Sequence, residues 1–378
     1  MYEFYKIHKI LGIKMSENPA FLKEQIITYL GNKRSLLDLI ESAIIDIKAD
    51  LGVDKISFAD VFSGSGVVSR LAKAHAKMIY ANDLELYSRI INECYLSNFD
   101  ENLWAKITEF HSHLNSLNSL KEGFITRLYA PSDDENIKEN ERVFFTRRNA
   151  MFIDTIRDEI SRIPNEFQKF FIAPLLYEAS VHNNTGGVFK GFYKGLDGVG
   201  KFGGEKENAL SRIKGDISLP KPIFSNFCCD FKVSQKESLD FAKSTKMVDI
   251  AYLDPPYNQH PYSSNYFMLN LIASYKEPSQ ISKISGIPND WNKSVYNQKA
   301  KAKDAFFTLL STLKARYLLI SFNNEGFIDK SEFSKFLSTL GKLEIIEQKY
   351  NTYRASRNLK ERAAHTTEYL YILKKDKK

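Results

Sequence analysis

Cysteine, long apolar runs and a strong charge of one sign are all scarce in this sequence, and each scarcity removes a class of answer. The 378 residues hold three cysteines, Cys94, Cys228 and Cys229. That is too few for a disulfide framework, and the adjacent pair lacks zinc-ligand spacing, so no metal is expected. No apolar run reaches about 18 residues, so neither a transmembrane helix nor a membrane partner is expected. The N-terminal stretch MYEFYKIHKILGIK is mixed and aromatic, unlike a signal peptide. Lys and Arg number 53 against 46 Asp and Glu, a net charge of +7. That modest basic excess keeps nucleic acid or another polyanion in view without selecting one. No repeat or low-complexity tract is evident. Composition leaves a soluble intracellular protein of one large or two ordinary domains.

Hydrophobic periodicity divides the chain. Over residues 1–110 the texture is α/β. Leu36, Leu37, Ile40, Ile44 and Ile47 recur at helical spacing after a turn at Gly31. KISFADVFSGSGVVSRLAKAHAKMIYANDL then predicts a strand over Ile56–Val61, a glycine turn, a helix and a strand over Met78–Ala81. A further helix is expected from Leu84 to about Leu96. Residues 111–225 read as a second, mainly helical unit, with helices in RRNAMFIDTIRDEISRI and NEFQKFFIAPLLYEAS. Within it, glycine concentrates between 186 and 204, where turns or a contact loop are expected rather than a helix or strand. Over residues 226–378 the α/β texture returns. MVDIAYLD and RYLLISFN read as buried strands, and KLEIIEQKYNTY and TTEYLYIL as an antiparallel pair. The last 38 residues carry ten Lys or Arg and five Asp or Glu.

Two motifs carry chemistry. FSGSG, Phe62–Gly66, follows a strand and precedes a helix, where its glycines permit a tight turn and close approach to a ligand. It is shorter than GxGxxG, and a plain sheet-to-helix turn remains open at this point. Asp83 follows the next strand, where a carboxylate can accept from both hydroxyls of a ribose. No Lys-Ser/Thr follows the glycines, which disfavours a P-loop. DPPY, Asp254–Tyr257, is sharper. Two prolines after a strand fix the backbone twice and turn the chain out of the sheet. Asp254 and the carbonyl of Pro255 can then accept the two N–H groups of an exocyclic amine, while Tyr257 stacks on its ring. Pro256 completes the stiff turn. Polarising an amine as it attacks an electrophilic methyl would stabilise the transition state.

With these motifs in this order, the chain resembles the Dam-like, D12-class adenine-specific DNA methyltransferases in their α arrangement. The resemblance covers most of the chain, through Tyr29–Lys33, Phe62–Gly66, Asp83, an insert over 111–225 and Asp254–Tyr257. NNTGGVFKGF, DPPYNQHPYSSNYFMLNLIASY, ISFNNEG and YNTYRASRN resemble segments of restriction-modification adenine methyltransferases. The resemblance implies a Rossmann-like α/β fold with a mainly helical target-recognition insert. It implies S-adenosyl-L-methionine as methyl donor, double-stranded DNA as substrate, and adenine N6 as the acceptor in a flipped base. Tyr29, Lys33, Phe62, Gly64, Gly66 and Asp83 would hold the cofactor, with Asp230 of FCCDF on its adenine amino group. Asn258 and Tyr266 would wall the active-site loop, and Asn323, Asn324 and Glu325 would support it. Arg142, Arg147, Arg148, Lys190, Lys194, Arg354 and Arg357 are candidate DNA contacts, and a solvated surface is the competing role for each. Phe189, Phe192 and Tyr193 would wedge or stack on bases, with anchoring of the insert to its core as the competing role for Phe189 and Phe192.

A monomer in the bacterial cytoplasm is expected, with a cognate restriction endonuclease acting separately. Three other readings stay open at this stage: methylation of RNA adenine, methylation of cytosine N4 in DNA, and an inactive DNA-binding module.

Overall fold

The computed structural model describes residues 16–256, 261–323, 326–351 and 365–376. Its centre is a seven-stranded sheet: β1 (Ile56–Asp60), β2 (Ala76–Asp83), β3 (Asp230–Gln235), β4 (Val248–Leu253), β5 (Ala315–Asn323), β6 (Gly341–Asn351) and β7 (His365–Lys375). The spatial order is β3-β2-β1-β4-β5-β7-β6. The pairs from β3 to β5 are parallel, whereas β7 runs antiparallel to both β5 and β6. This is the Rossmann-like α/β architecture expected, and the C-terminal hairpin falls where the alternation placed it.

The strands read as apolar runs because both faces are covered. Residues of one parity, such as Phe58, Ile250 and Leu319, pack with Ile40, Ile44 and Ile47 of the helix Leu37–Leu51. Those of the other parity, such as Ala59, Ala251 and Ile320, meet Phe306 and Leu310 of Lys299–Thr312 and Phe333 and Leu337 of Lys330–Ser338. β4 is buried along its whole length. The helix Leu37–Leu51 stops at Gly52, whose φ of 64° gives the left-handed cap that closes its last turn.

A third apolar cluster joins helices of residues 111–225 to the rest. Tyr87, Ile91 and Tyr95 of Leu86–Leu96 pack with Ile153 and Ile156 of Arg147–Ile160, Phe171 and Leu175 of Asn165–Val181, and Met268 and Leu269 of Phe267–Ser274. The helix Glu101–Asn115 runs across residue 110, where the sequence texture changed.

Arg70 fastens the N-terminal segment onto this frame. It is 1% exposed. Its guanidinium donates to the carbonyls of Phe21 (3.0 Å), Glu24 (3.0 Å) and Gln25 (2.8 Å), and lies 3.6 Å from the ring centre of Tyr95. Three carbonyls therefore depend on one side chain. Arg70→Ala is expected to lower unfolding stability by roughly 3–5 kcal/mol, because it strands buried acceptors. Urea denaturation measures this, and a loss below about 1 kcal/mol would contradict the role.

Candidate active site

β1 is followed in sequence by β2 on one side and β4 by β5 on the other, so the loops leaving β1 and β4 diverge. Ligands of open parallel sheets bind at such a switch point, beyond the carboxyl ends of the strands. A cleft of about 850 Å³, open to solvent, lies there, walled by Tyr29, Lys33, Phe62, Gly64, Asp83, Asp254 and Pro256 among others. Both sequence motifs thus face one space.

The glycine turn is locked by Asp83. Gly64 sits at φ 49° and its N–H donates to Asp83 Oδ2 at 2.7 Å; the N–H of Glu85 donates to Oδ1 at 2.9 Å. The hydroxyl of Ser88 donates to the carbonyl of Gly64 at 2.7 Å. A Cβ on Gly64 would stand 3.0 Å from Tyr29 Cε1, so the turn and that ring are in contact. Burial pushes the Asp83 carboxyl up from its ordinary value, against these hydrogen bonds, which favour the charge. Gly66, at φ 76°, caps the helix Val67–Ala72 and is not itself in the cleft wall.

Asp254 directly follows β4 as a carboxylate in a crowded place. Lys33 Nζ, itself 4% exposed, lies 3.1 Å from Asp254 Oδ1 and 3.4 Å from Glu368 Oε1, and the Ser321 hydroxyl is 3.4 Å from Glu368 Oε2. Burial pushes Asp254 up to about 6; Lys33 pulls it down and Glu368 pushes it up. A fifth of the Asp254 side chain stays exposed, toward the cleft that it lines. Pro255 is buried behind it, and Tyr257 and Asn258 lie outside the described residues.

Three further carboxylates and a set of aromatic rings complete the walls. Asp60, 1% exposed, accepts from the Ser69 hydroxyl at 2.7 Å through Oδ2. Its Oδ1 is buried and has no partner among the described residues. Burial pushes this carboxyl up to about 7. Glu85, also pushed up to about 7 by burial, accepts from Asn270 at 2.5 Å and from the Ser263 hydroxyl. It thereby ties the Asp83 loop to the helices after DPPY. Tyr29 stacks on Tyr262 and Tyr266 with ring centres 4.9 and 4.7 Å away. The N–H of Leu30 donates to the Tyr266 hydroxyl at 2.7 Å, fixing the N-terminal segment to the same helices. At the far end, Glu237 lines the cleft, Ser238 and Tyr296 share a 2.6 Å hydroxyl contact, and Phe62 meets Tyr296 edge-on at 5.2 Å.

The structure corrects the expectation for Asp230. It opens β3, in register with Met78, and is exposed. The carboxyl end of β3 is Gln235, beside Asp83. Five residues of extended chain, roughly 16 Å, therefore separate Asp230 from the cleft edge. The residues that leave β3 at the cleft are Lys236, Glu237 and Ser238.

Among the candidate phosphate contacts, Arg142 donates to the carbonyls of Leu128 (3.3 Å), Ser282 (3.4 Å) and Lys283 (2.9 Å), bracing two loops. Arg147 pairs with Glu122, and Arg148 pairs at 2.8 Å with Asp216 on the surface. Lys190 is exposed, and Lys194 Nζ lies 5.4 Å over the Phe192 ring. Phe189 is buried against Phe144 and Phe145, as an anchor. Arg354, Arg357, Asn324 and Glu325 lie outside the described residues, and Asn323 is the last described residue of β5.

Sequence reasoning missed Asp60, Glu85 and Glu368. Asp60 had a visible signal, a carboxylate two residues before the glycine turn. A lone acid within the apolar strand TTEYLYIL marked Glu368, though nothing in the sequence gave its partner. Glu85 carried no signal, since its partners are at 263 and 270.

Comparison with known proteins agrees with this geometry. The family model for D12 class N6 adenine-specific DNA methyltransferases matches residues 29–336. Type II methyltransferase M.NlaIII of Neisseria lactamica is 30% identical over 355 residues, 92% of this chain and 99% of that protein. Type II methyltransferase M.CviAII of Paramecium bursaria Chlorella virus 1 is 30% identical over 333 residues, 87% and 93% respectively. M.FokI of Planomicrobium okeanokoites is 28% identical over 366 residues, 92% of this chain but 52% of its own length.

Two glycines separate backbone cost from contact cost. Gly66 and Gly52 both have positive φ, yet a Cβ on Gly66 would lie 2.9 Å from Asn92 Oδ1 and one on Gly52 would meet nothing within 4 Å. Gly52→Ala should cost about 1 kcal/mol and Gly66→Ala roughly twice that or more. Equal losses in urea denaturation would refute the close packing at the turn.

Proposed function

The chain belongs to the D12 class of N6 adenine-specific DNA methyltransferases, and we propose that it methylates N6 of an adenine extruded from duplex DNA, with S-adenosyl-L-methionine as donor. The observation that carries this reading is the cleft shared by Asp254, held by Lys33, and the Asp83-locked glycine turn. The donor supplies an electrophilic methyl group. The residues present fit it. Asp83 stands at the carboxyl end of β2, where a ribose can be held. The unpartnered Asp60 Oδ1 suits the ammonium of an amino acid, and Phe62 and Tyr296 offer an apolar slot for a purine.

At the other side of the cleft, Asp254 and the carbonyl of Pro255 accept the two amine hydrogens of the target base. Charge that builds on the nitrogen as it attacks is then met by fixed acceptors, without water reorganisation. Lys33 keeps Asp254 ionised despite its burial. Tyr257 would stack on the base. An adenine within a duplex cannot reach this depth, so it must leave the stack. Residues 111–225 would serve as the recognition insert. The likeness to type II methyltransferases supports a place in a restriction-modification system; we propose that the chain acts there as a monomer in a bacterial cytoplasm, with the endonuclease as a separate protein.

Nucleosides from DNA incubated with enzyme and labelled donor should contain N6-methyladenine; its absence, with cofactor binding intact, would sink the reading. Asp254→Ala should lower the single-turnover rate by about 10²–10³ and leave cofactor affinity within about threefold. Asp83→Ala should do the reverse, weakening cofactor binding in calorimetry.

The acid limb of the rate follows from Asp254. Asp254 accepts its amine hydrogen and opposes the growing positive charge only as the carboxylate, so activity should be half lost near pH 6 and recover as pH rises through that value. Lys33→Met removes the cation that opposes burial, so its limb should move to higher pH. An unshifted limb would remove Lys33 from this role.

A further inference from the structure

Glu85 is a buried carboxylate that neither sequence motif explains. It is 3% exposed. Its N–H donates to Asp83 Oδ1 at 2.9 Å, while Asp83 Oδ2 holds the N–H of Gly64 at 2.7 Å. The Glu85 backbone thus belongs with the glycine turn, on the cofactor side of the cleft. Its side chain reaches the other side. Oε1 accepts from the hydroxyl of Ser263 in the helix Tyr262–Asn265, and Oε2 accepts from the amide of Asn270 in the helix Phe267–Ser274 at 2.5 Å. Asn270 Oδ1 accepts in turn from the N–H of Tyr87 at 3.2 Å. A third tie comes from Asn292, whose amide lies 3.4 Å from Glu85 Oε2 and 3.3 Å from the carbonyl of Leu84. Asn292 sits in a segment that is itself held. Before it, the carbonyl of Gly286 accepts from the Tyr129 hydroxyl at 2.7 Å, and a Cβ on Gly286 would stand 2.6 Å from Tyr129 Cε1. After it, Ser294 and Tyr296 line the cleft.

A carboxylate is a costly choice for this place. The three side chains that donate to it are neutral, and burial works against its charge. An apolar group of similar size would avoid that cost, so stability alone does not account for the residue. What a carboxylate provides is two oxygens in one rigid plane, each able to accept twice. One small group can then join three separate stretches of chain, and a buried node whose bonds are all made is stiff. Both of its oxygens are engaged, in contrast to Asp60, whose Oδ1 has no partner among the described residues. The arrangement is that of a brace rather than of a ligand site.

We propose that Glu85 is a positioning residue for methyl transfer: through Ser263, Asn270 and Asn292 it fixes the cofactor side of the cleft against the target side. The inference rests on the methyltransferase reading above. In that reaction the amine nitrogen forms its bond to the methyl carbon as the carbon–sulfur pair leaves with sulfur, and the surplus amine proton passes to water. Nitrogen, carbon and sulfur must lie in line, and a misplacement of about 1 Å costs on the order of a hundredfold in rate. Glu85 touches none of these atoms. It acts on the rate through the segments it joins, and leaves the binding of each ligand to other residues.

The test measures single-turnover methylation by the full chain of a short duplex carrying the site mapped on plasmid DNA, with cofactor and duplex both saturating. Glu85→Ala should slow transfer by about tenfold or more, and Glu85→Gln, whose amide oxygen keeps one tie, by about threefold. Cofactor affinity from calorimetry and duplex affinity from fluorescence anisotropy should stay within about threefold of wild type. Ser263→Ala removes one hydroxyl and should slow transfer by about threefold; in a Glu85→Ala background it should add nothing, because Ser263 acts through Glu85. If Glu85→Ala does not fold, the same cycle is run on Glu85→Gln. A residue that only stabilised the fold would lower the melting temperature and leave the rate of the folded enzyme unchanged, and that result overturns the proposal. So does a Ser263→Ala loss that persists undiminished in the double variant. A cofactor affinity about tenfold weaker with the rate retained would make Glu85 a ligand and overturns it too. A wild-type enzyme that transfers no methyl group overturns the functional reading itself, and the positioning role with it.

Discussion

A single buried ammonium, that of Lys33, lies between Asp254 and Glu368, and the site depends on the imbalance it leaves. Carboxylates cluster at the carboxyl ends of the parallel strands because that is where the sheet opens: Asp60 as the last residue of β1, Asp83 as the last of β2, Asp254 directly after β4. Burial works against the charge on each, and Asp60 and Asp254 are raised to about 7 and about 6. The methyl transfer proposed above needs the charged form of Asp254. A carboxyl raised by the fold makes the folded state less stable as pH climbs from about 4 through 6, since the unfolded chain ionises sooner. The site is therefore held charged at the expense of the fold, and a bound cation or amine relieves that opposition.

The same reasoning accounts for the connections around the cleft. Glu85 reaches from the Asp83 loop to Ser263 and Asn270, and the Tyr29 ring packs on Tyr262 and Tyr266. The two sides of the cleft are thus braced against each other rather than built on separate loops. A displacement of either wall is felt by the other, so the span between the glycine turn and Asp254 is set by packed side chains.

The strands and most helices were legible because their signals are local. Alternation gave the C-terminal hairpin, apolar runs gave β4 and β5, and helical spacing gave Leu37–Leu51. The glycine turn and the DPPY start were legible for the same reason, since their chemistry lies in adjacent residues. Partners distant in sequence were not. Glu368 lies 335 residues from Lys33, and no spacing rule reaches that far. Asp230 was misplaced because a strand's sequence does not say which end faces the ligand; the register with Met78 does. Charge alone did not show that the guanidinium of Arg142 braces two loops.

The distance between Lys33 and Glu368 along the chain also orders events in time. Synthesis delivers the glycine turn, residues 111–225 and Asp254 before β7, the strand that carries Glu368 and lies between β5 and β6. Until β7 docks, Lys33 lacks its second carboxylate, and β5 and β6 are not joined. Contacts of such long sequence separation form late and slowly. The nascent chain can complete residues 111–225 while Lys33 still lacks Glu368, so the docking of β7 is the step that closes the buried ion cluster.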